Sequence, residues 1–229
     1  MITERAARRA PDWYNLSRLD PEKRPLPPVP YITACLVIAN VFVFGYELSR
    51  SNADLQALFD NWGVVSVDFI DWLQAPGVSR EPFTIFTSAF LHGDWWHLMS
   101  NMAILLFLGV RLERLLVESF EEDGYLMFGV IYLLSIFGSI ALQVGLTPNE
   151  TTPVAGASGA IAGLAGAYLV TDLRGALLII LWFAAQTLSG VASLDVETNV
   201  AYFAHIGGFV TGCAAMLILS VWAFRYRGA

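Results

Sequence analysis

The chain has 229 residues, of which 56% are hydrophobic and only 14% charged, with a formal net charge of −7 and a mean hydropathy of +0.57. Soluble domains carry roughly 45–50% apolar and about 25% charged residues, so the composition excludes an ordinary soluble domain. A membrane-crossing helix takes ~20 mostly apolar residues, and the hydrophobic total, about 128 residues, supplies six of them with tails and one sizeable loop left over.

The negative charge and the lack of a basic stripe with interleaved aromatics argue against a nucleic-acid partner. Cys35 and Cys213 lie in apolar stretches, where a thiol behaves as a small hydrophobe, and two cysteines make no disulfide framework.

Residues 1–30 are polar, hold Arg5, Arg8, Arg9, Arg18, Lys23 and Arg24, and end in a proline-rich run from Pro25 to Pro30. They contain no signal-peptide core and read as a disordered tail. The core is expected over 31–225. Its first span, 31–48, is free of charge until Glu47, and the mixed stretch 49–83 reads as an interfacial outer loop with short helices and aromatic anchors. Further spans are expected at about 94–116, 125–147, 156–172, 175–193 and 199–224, which predicts an all-α, polytopic bundle of six transmembrane helices. With the N-terminus inside, eleven basic residues fall on the inner side and two, Arg50 and Arg80, on the outer side. The positive-inside rule therefore favours six spans with both termini cytoplasmic.

Ionisable or strongly hydrogen-bonding side chains inside such spans are costly, so each is a candidate for function. All three histidines, His92, His97 and His205, fall at the outer end of a span or within it, with Asn101 and with Ser158 in Gly156-Ala157-Ser158-Gly159. Ser158 opens the fourth span after the break at 153–156, where unpaired N–H groups and the positive helix end favour a nucleophile and its oxyanion. A serine beside glycines also serves in helix capping and packing. His205 stands early in the sixth span, which runs parallel to the fourth, so a general base is available at the same depth. Gly159 with Gly163, and Gly208 with Gly212, are spaced for close approach of two helices. No carboxylate lies at that depth, which indicates a Ser-His dyad rather than a triad. His97 and Asn101, four apart, share a helix face and with the Ser158 N–H could form an oxyanion hole. His92 lies about 140° from His97 on a helical wheel and reads as a loop-fixing residue. The same spacing argues against a three-histidine metal site, and no cofactor is expected.

These residues resemble the rhomboid intramembrane serine proteases. The resemblance covers 31 to about 225 and rests on His92-x4-His97-x3-Asn101, Gly109-x3-Glu113, Gly156-x-Ser158-Gly159 and Ala204-His205-x2-Gly208-x3-Gly212, in this order on the matching spans. It implies a six-helix core with a water-filled site below the outer membrane surface. Ser158 would be the nucleophile, His205 the general base, and His97, Asn101 and the Ser158 N–H the oxyanion donors. Gly156, Gly159, Gly208 and His92 would shape the site, and the partners would be the lipid bilayer and single-pass membrane proteins cleaved in or near their transmembrane segment. Two departures stand out. Phe83-Thr84 replaces the Trp-Arg common ahead of the second span, and Ala162 stands where an aromatic often packs on the catalytic histidine, leaving Phe203 or Phe209 to hold the imidazole.

A catalytically silent relative that binds and escorts transmembrane helices is the alternative, although such relatives usually lack the Ser or the His. A channel or transporter would distribute ionisable groups through the full depth or show paired broken helices. A lipase elbow requires G-x-S-x-G, and Ala160 occupies the second glycine position. A short tail with acids among its arginines, a poor mitochondrial presequence, and a minimal six-span core with no extra helix lead to the expectation of a bacterial inner membrane, with the site open to the periplasmic or extracellular side.

Overall fold

A computed structural model describes residues 27–171, 184 and 201–227. The expected tail up to residue 26 and the expected fifth span at 175–193, save the single residue 184, lie outside the described residues. What is described is helical: α1 (Tyr31–Leu48), α2 (Asn52–Trp62), α3 (Ser66–Gln74), α4 (Glu81–Thr87), a 3-10 turn (Ser88–Phe90), α5 (Trp95–Phe120), α6 (Asp123–Leu146), α7 (Ser158–Thr171) and α8 (Tyr202–Arg227). One isolated antiparallel bridge, Val64 with Val154, ties the first outer loop to the segment that leads into α7.

Among the described residues, three helices are long and apolar enough to cross a membrane: Tyr31–Leu48, Asp123–Leu146 and Tyr202–Arg225. Their burial is inverted relative to a soluble protein. Phe42, Leu126 and Ile218 point outward, whereas Asn40, Glu47, Ser135 and Ser139 are buried. Apolar side chains facing lipid cost nothing, while polar groups must find partners inside the bundle.

Helix α5 runs four residues past the expected end of the second span. Leu105, Leu108, Leu112, Leu116 and Phe120 are all buried and repeat at helical spacing, so the apolar stripe carries the helix past Arg111 and Arg114 until Glu121 turns to φ 57°. The Gly109-x3-Glu113 pattern on this helix serves packing at α1. A Cβ on Gly109 would lie 2.9 Å from the Thr33 hydroxyl. One turn on, the fully buried Glu113 accepts from Ile32 N–H (2.8 Å), Thr33 N–H (2.8 Å) and Thr33 Oγ1–H (2.6 Å). A carboxylate thus caps the otherwise unpaired N-terminal amides of α1.

The centre of the bundle is α7. Every residue from Gly159 to Ala167 is buried, so this helix has no polar face and is enclosed by α5, α6 and α8. Small residues make the enclosure possible: a Cβ on Gly208 would collide with the Gly159 carbonyl oxygen, one on Gly212 with that of Gly163, and one on Gly163 with the Ser135 hydroxyl. Backbone-to-backbone contact of this kind holds helices together where lipid removes the hydrophobic drive.

Candidate active site

Three helices, α5, α7 and α8, begin at the same end of the bundle around a cavity of about 660 Å3. Its lining includes His92, His97, Asn101, Gly156, Ser158 and His205, so the structure brings the polar residues singled out in the sequence to one place.

Helix α7 starts at Ser158, two residues later than expected, because Gly156 takes φ +117°, a conformation that L side chains rarely adopt. The Gly156 N–H donates to the Ser88 carbonyl at 2.8 Å, which fixes the entry into the helix. Across the glycine contact with α8, His205 Nε2 lies 2.8 Å from Ser158 Oγ. The hydroxyl donates to this nitrogen when the imidazole carries its proton on Nδ1. The start of α8 is held by Gln143 of α6, whose Oε1 accepts the Ala204 N–H at 3.0 Å.

The other wall comes from α5. Asp94 caps this helix by accepting the His97 N–H at 2.9 Å. His97 packs on Gly156, where a Cβ would lie 2.7 Å from its Cε1 and Nε2. Its Nδ1 sits 2.9 Å from the His92 carbonyl; a carbonyl only accepts, so Nδ1 carries a proton. Asn101, one turn further, is buried, and its Nδ2 has no acceptor. An unpartnered donor in a polar cavity is what a site for a developing oxyanion requires.

His92 departs from the helical-wheel expectation. It precedes α5, so the wheel does not apply, and the chain folds back to set its ring 5.1 Å from that of His97, at 61°. Burial, followed by the nearby His97 charge, pushes its pKa down to about 4, so the ring is neutral at pH 7. The acids in the cavity lining are engaged elsewhere. Asp94 caps α5, and Glu150 is held below the usual carboxylate range by the Thr152 N–H and hydroxyl, with help from the Thr151 N–H.

Of the two aromatics proposed beside Ala162, Phe209 is the one packed against it, in a buried cluster with Leu108 and Ala165. The first outer loop, which lacks Trp-Arg, is anchored by the Thr87 hydroxyl to the Trp62 carbonyl (2.7 Å) and by Arg80 Nη1 to Asn61 Oδ1 (2.6 Å), while Phe83 is exposed. Sequence reasoning missed Gln143 and Glu47. A charge one residue from the end of an apolar span reads as a boundary marker, yet the Glu47 carboxylate is buried and accepts from the His92 and Gly93 N–H groups.

A rhomboid domain model matches residues 79–222. RHOMBOID-like protein 1 of Arabidopsis thaliana is 34% identical over 138 residues, 58% of this chain and 33% of that protein. RHOMBOID-like protein 4 of the same plant is 29% identical over 222 residues, 84% of this chain and 53% of that protein. Rhomboid-related protein 1 of Caenorhabditis elegans is 28% identical over 151 residues, 60% of this chain and 40% of that protein. The chain spans between a third and about half the length of these relatives, and the matched segment contains His92, His97, Asn101, Ser158 and His205. On this match the chain belongs to the rhomboid family.

Proposed function

We propose that the chain is an intramembrane serine endopeptidase that cuts single-pass membrane proteins in or near their transmembrane segment through a Ser158–His205 dyad. The observation that carries this reading is the 2.8 Å contact between Ser158 Oγ and His205 Nε2 in a cavity whose wall includes Asn101, with its buried and unpartnered Nδ2. His205 takes the Ser158 proton as the oxygen attacks the scissile carbonyl, then returns it to the leaving amine, leaving an acyl-enzyme that water hydrolyses. Asn101 and the N–H groups at the start of α7 receive the oxyanion, and His97 adds a donor from Nε2 when its ring carries both protons. The charge pattern of the spans leaves no carboxylate at the depth of His205, and on that reading the imidazolium formed in the reaction is less stabilised than in a triad and the chemistry is slower.

Six spans with both termini inside and the cavity open to the outer side remain the arrangement that the charge sorting favours. In liposomes, the wild type is expected to cleave a single-pass model substrate, and Ser158→Ala and His205→Ala each to abolish cleavage with the fold intact. Lack of cleavage by the wild type, with the substrate still captured, would favour the helix-escort alternative.

A further inference from the structure

On the wall of the cavity opposite Ser158 and His205, His97 has an acid one peptide group away. Glu47, only 2% exposed near the end of α1, accepts the His92 N–H at 3.0 Å with Oε1 and the Gly93 N–H at 2.7 Å with Oε2. The Gly93 N–H and the His92 carbonyl belong to the same peptide group. That carbonyl accepts the His97 Nδ1 proton at 2.9 Å. The sequence of contacts is therefore carboxylate, peptide N–H, peptide C=O, imidazole, and it ends with His97 Nε2 and Cε1 set against Gly156.

From this geometry we infer that Glu47 is a positioning residue, which holds His97 in its working orientation through the 92–93 peptide. A charged acceptor on an N–H polarises the carbonyl of the same amide and strengthens the bond it receives. The turn needs such an external hold. Gly93 sits at φ +78°, and the segment lies between the 3-10 turn and the cap of α5 with no ladder of its own. A carboxylate buried at this point is stable only with its acceptor sites filled, and the two amides fill them. The effect of Glu47 on the reaction runs through His97.

The inference rests on the proposed protease reading, and two readouts keep the two separable. The first is the rate at which a fluorophosphonate probe labels Ser158 in detergent, for wild type, Glu47→Gln, His97→Ala and the double variant. Glu47→Gln replaces one acceptor with an N–H donor facing an N–H, and is expected to slow labelling on the order of 10-fold, short of the ~10²–10³-fold that loss of a whole oxyanion donor brings. In the His97→Ala background the same substitution is expected to change nothing further. Equal slowing with and without His97 would overturn the inference and leave Glu47 a general structural role. The second readout is the ¹⁵N spectrum of histidine-labelled protein, with His97 assigned from its alanine variant. Wild-type His97 is expected to show a proton fixed on Nδ1, and Glu47→Leu to show tautomer exchange. If Glu47→Leu does not fold, Glu47→Gln is read in the same way, with partial exchange expected. An unchanged His97 spectrum in the folded variant would overturn the inference whether or not Ser158 ever labels, whereas a fixed His97 beside an unreactive Ser158 would count against the protease reading alone.

Discussion

Gly208 rests on the backbone of Gly159: a Cβ at position 208 would collide with the Gly159 carbonyl oxygen. This contact, one residue after Ser158 and three after His205, sets α7 against α8 so that His205 Nε2 comes 2.8 Å from Ser158 Oγ. The Ser158–His205 pairing depends on a contact between two backbones, and its geometry is only as good as that contact.

Gly208→Ala should therefore push α8 away from α7, with no flexible side chain able to yield. We expect destabilisation of about 1–3 kcal/mol, the usual cost of overpacking, read as a lower unfolding temperature in detergent. Labelling of Ser158 should fall more than stability accounts for, since even ~1 Å of misplacement is costly in a positioned dyad. Gly45, inside α1, whose Cβ would meet nothing, provides the control: Gly45→Ala should leave labelling unchanged and should not lower the unfolding temperature, since alanine is the better helix former.

Asn101→Ala removes the unpartnered Nδ2 donor from the cavity. The expected loss is about 3 kcal/mol of transition-state stabilisation, or ~10²-fold in kcat, with KM little changed because the donor acts on charge that develops only in the reaction. Cleavage kinetics on a model substrate separate the two constants.

Glu113→Ala is expected to act on stability alone. It leaves the N–H groups of Ile32 and Thr33 and the Thr33 hydroxyl without their acceptor, at about 1–3 kcal/mol for each buried group that water does not reach. Glu118→Ala, on the exposed face of the same helix, should shift the unfolding temperature by much less. At temperatures where Glu113→Ala stays folded, its labelling rate should match the wild type.

Acid should weaken the protein through His92. Its pKa is held at about 4 against an ordinary 6.5, so below pH 6.5 the unfolded chain binds a proton that the folded chain refuses. The stabilising contribution is complete above 6.5, falls as pH drops toward 4, and changes no further below. The slope attributable to one group is at most about 1.4 kcal/mol per pH unit. His92→Gln should flatten the stability profile between pH 6.5 and 4.

Among the described residues, the apolar helices and the polar residues that meet in the cavity were legible in the sequence because both depend on local pattern. Uncharged runs mark apolar helices, and Ser158 and His205 stand out as polar exceptions on helices that start from one side. Contacts made through backbone groups left less trace. Glu47 reads as the end of a span, and only the structure shows its carboxylate turned inward onto the amides of His92 and Gly93. His92 was set apart from His97 by a helical wheel that does not apply, since α5 starts at Trp95. The packing of Phe209 on Ala162 depends on volume shared by two helices, which spacing along one chain does not encode.

The protease reading rests on an activated serine at position 158, and covalent labelling of the detergent-purified chain by a fluorophosphonate probe, read by intact-mass spectrometry, tests it. One adduct is expected on wild type, mapped to Ser158, and none on Ser158→Ala or His205→Ala. Undiminished labelling of His205→Ala, or an adduct on another residue that persists in Ser158→Ala, would contradict it.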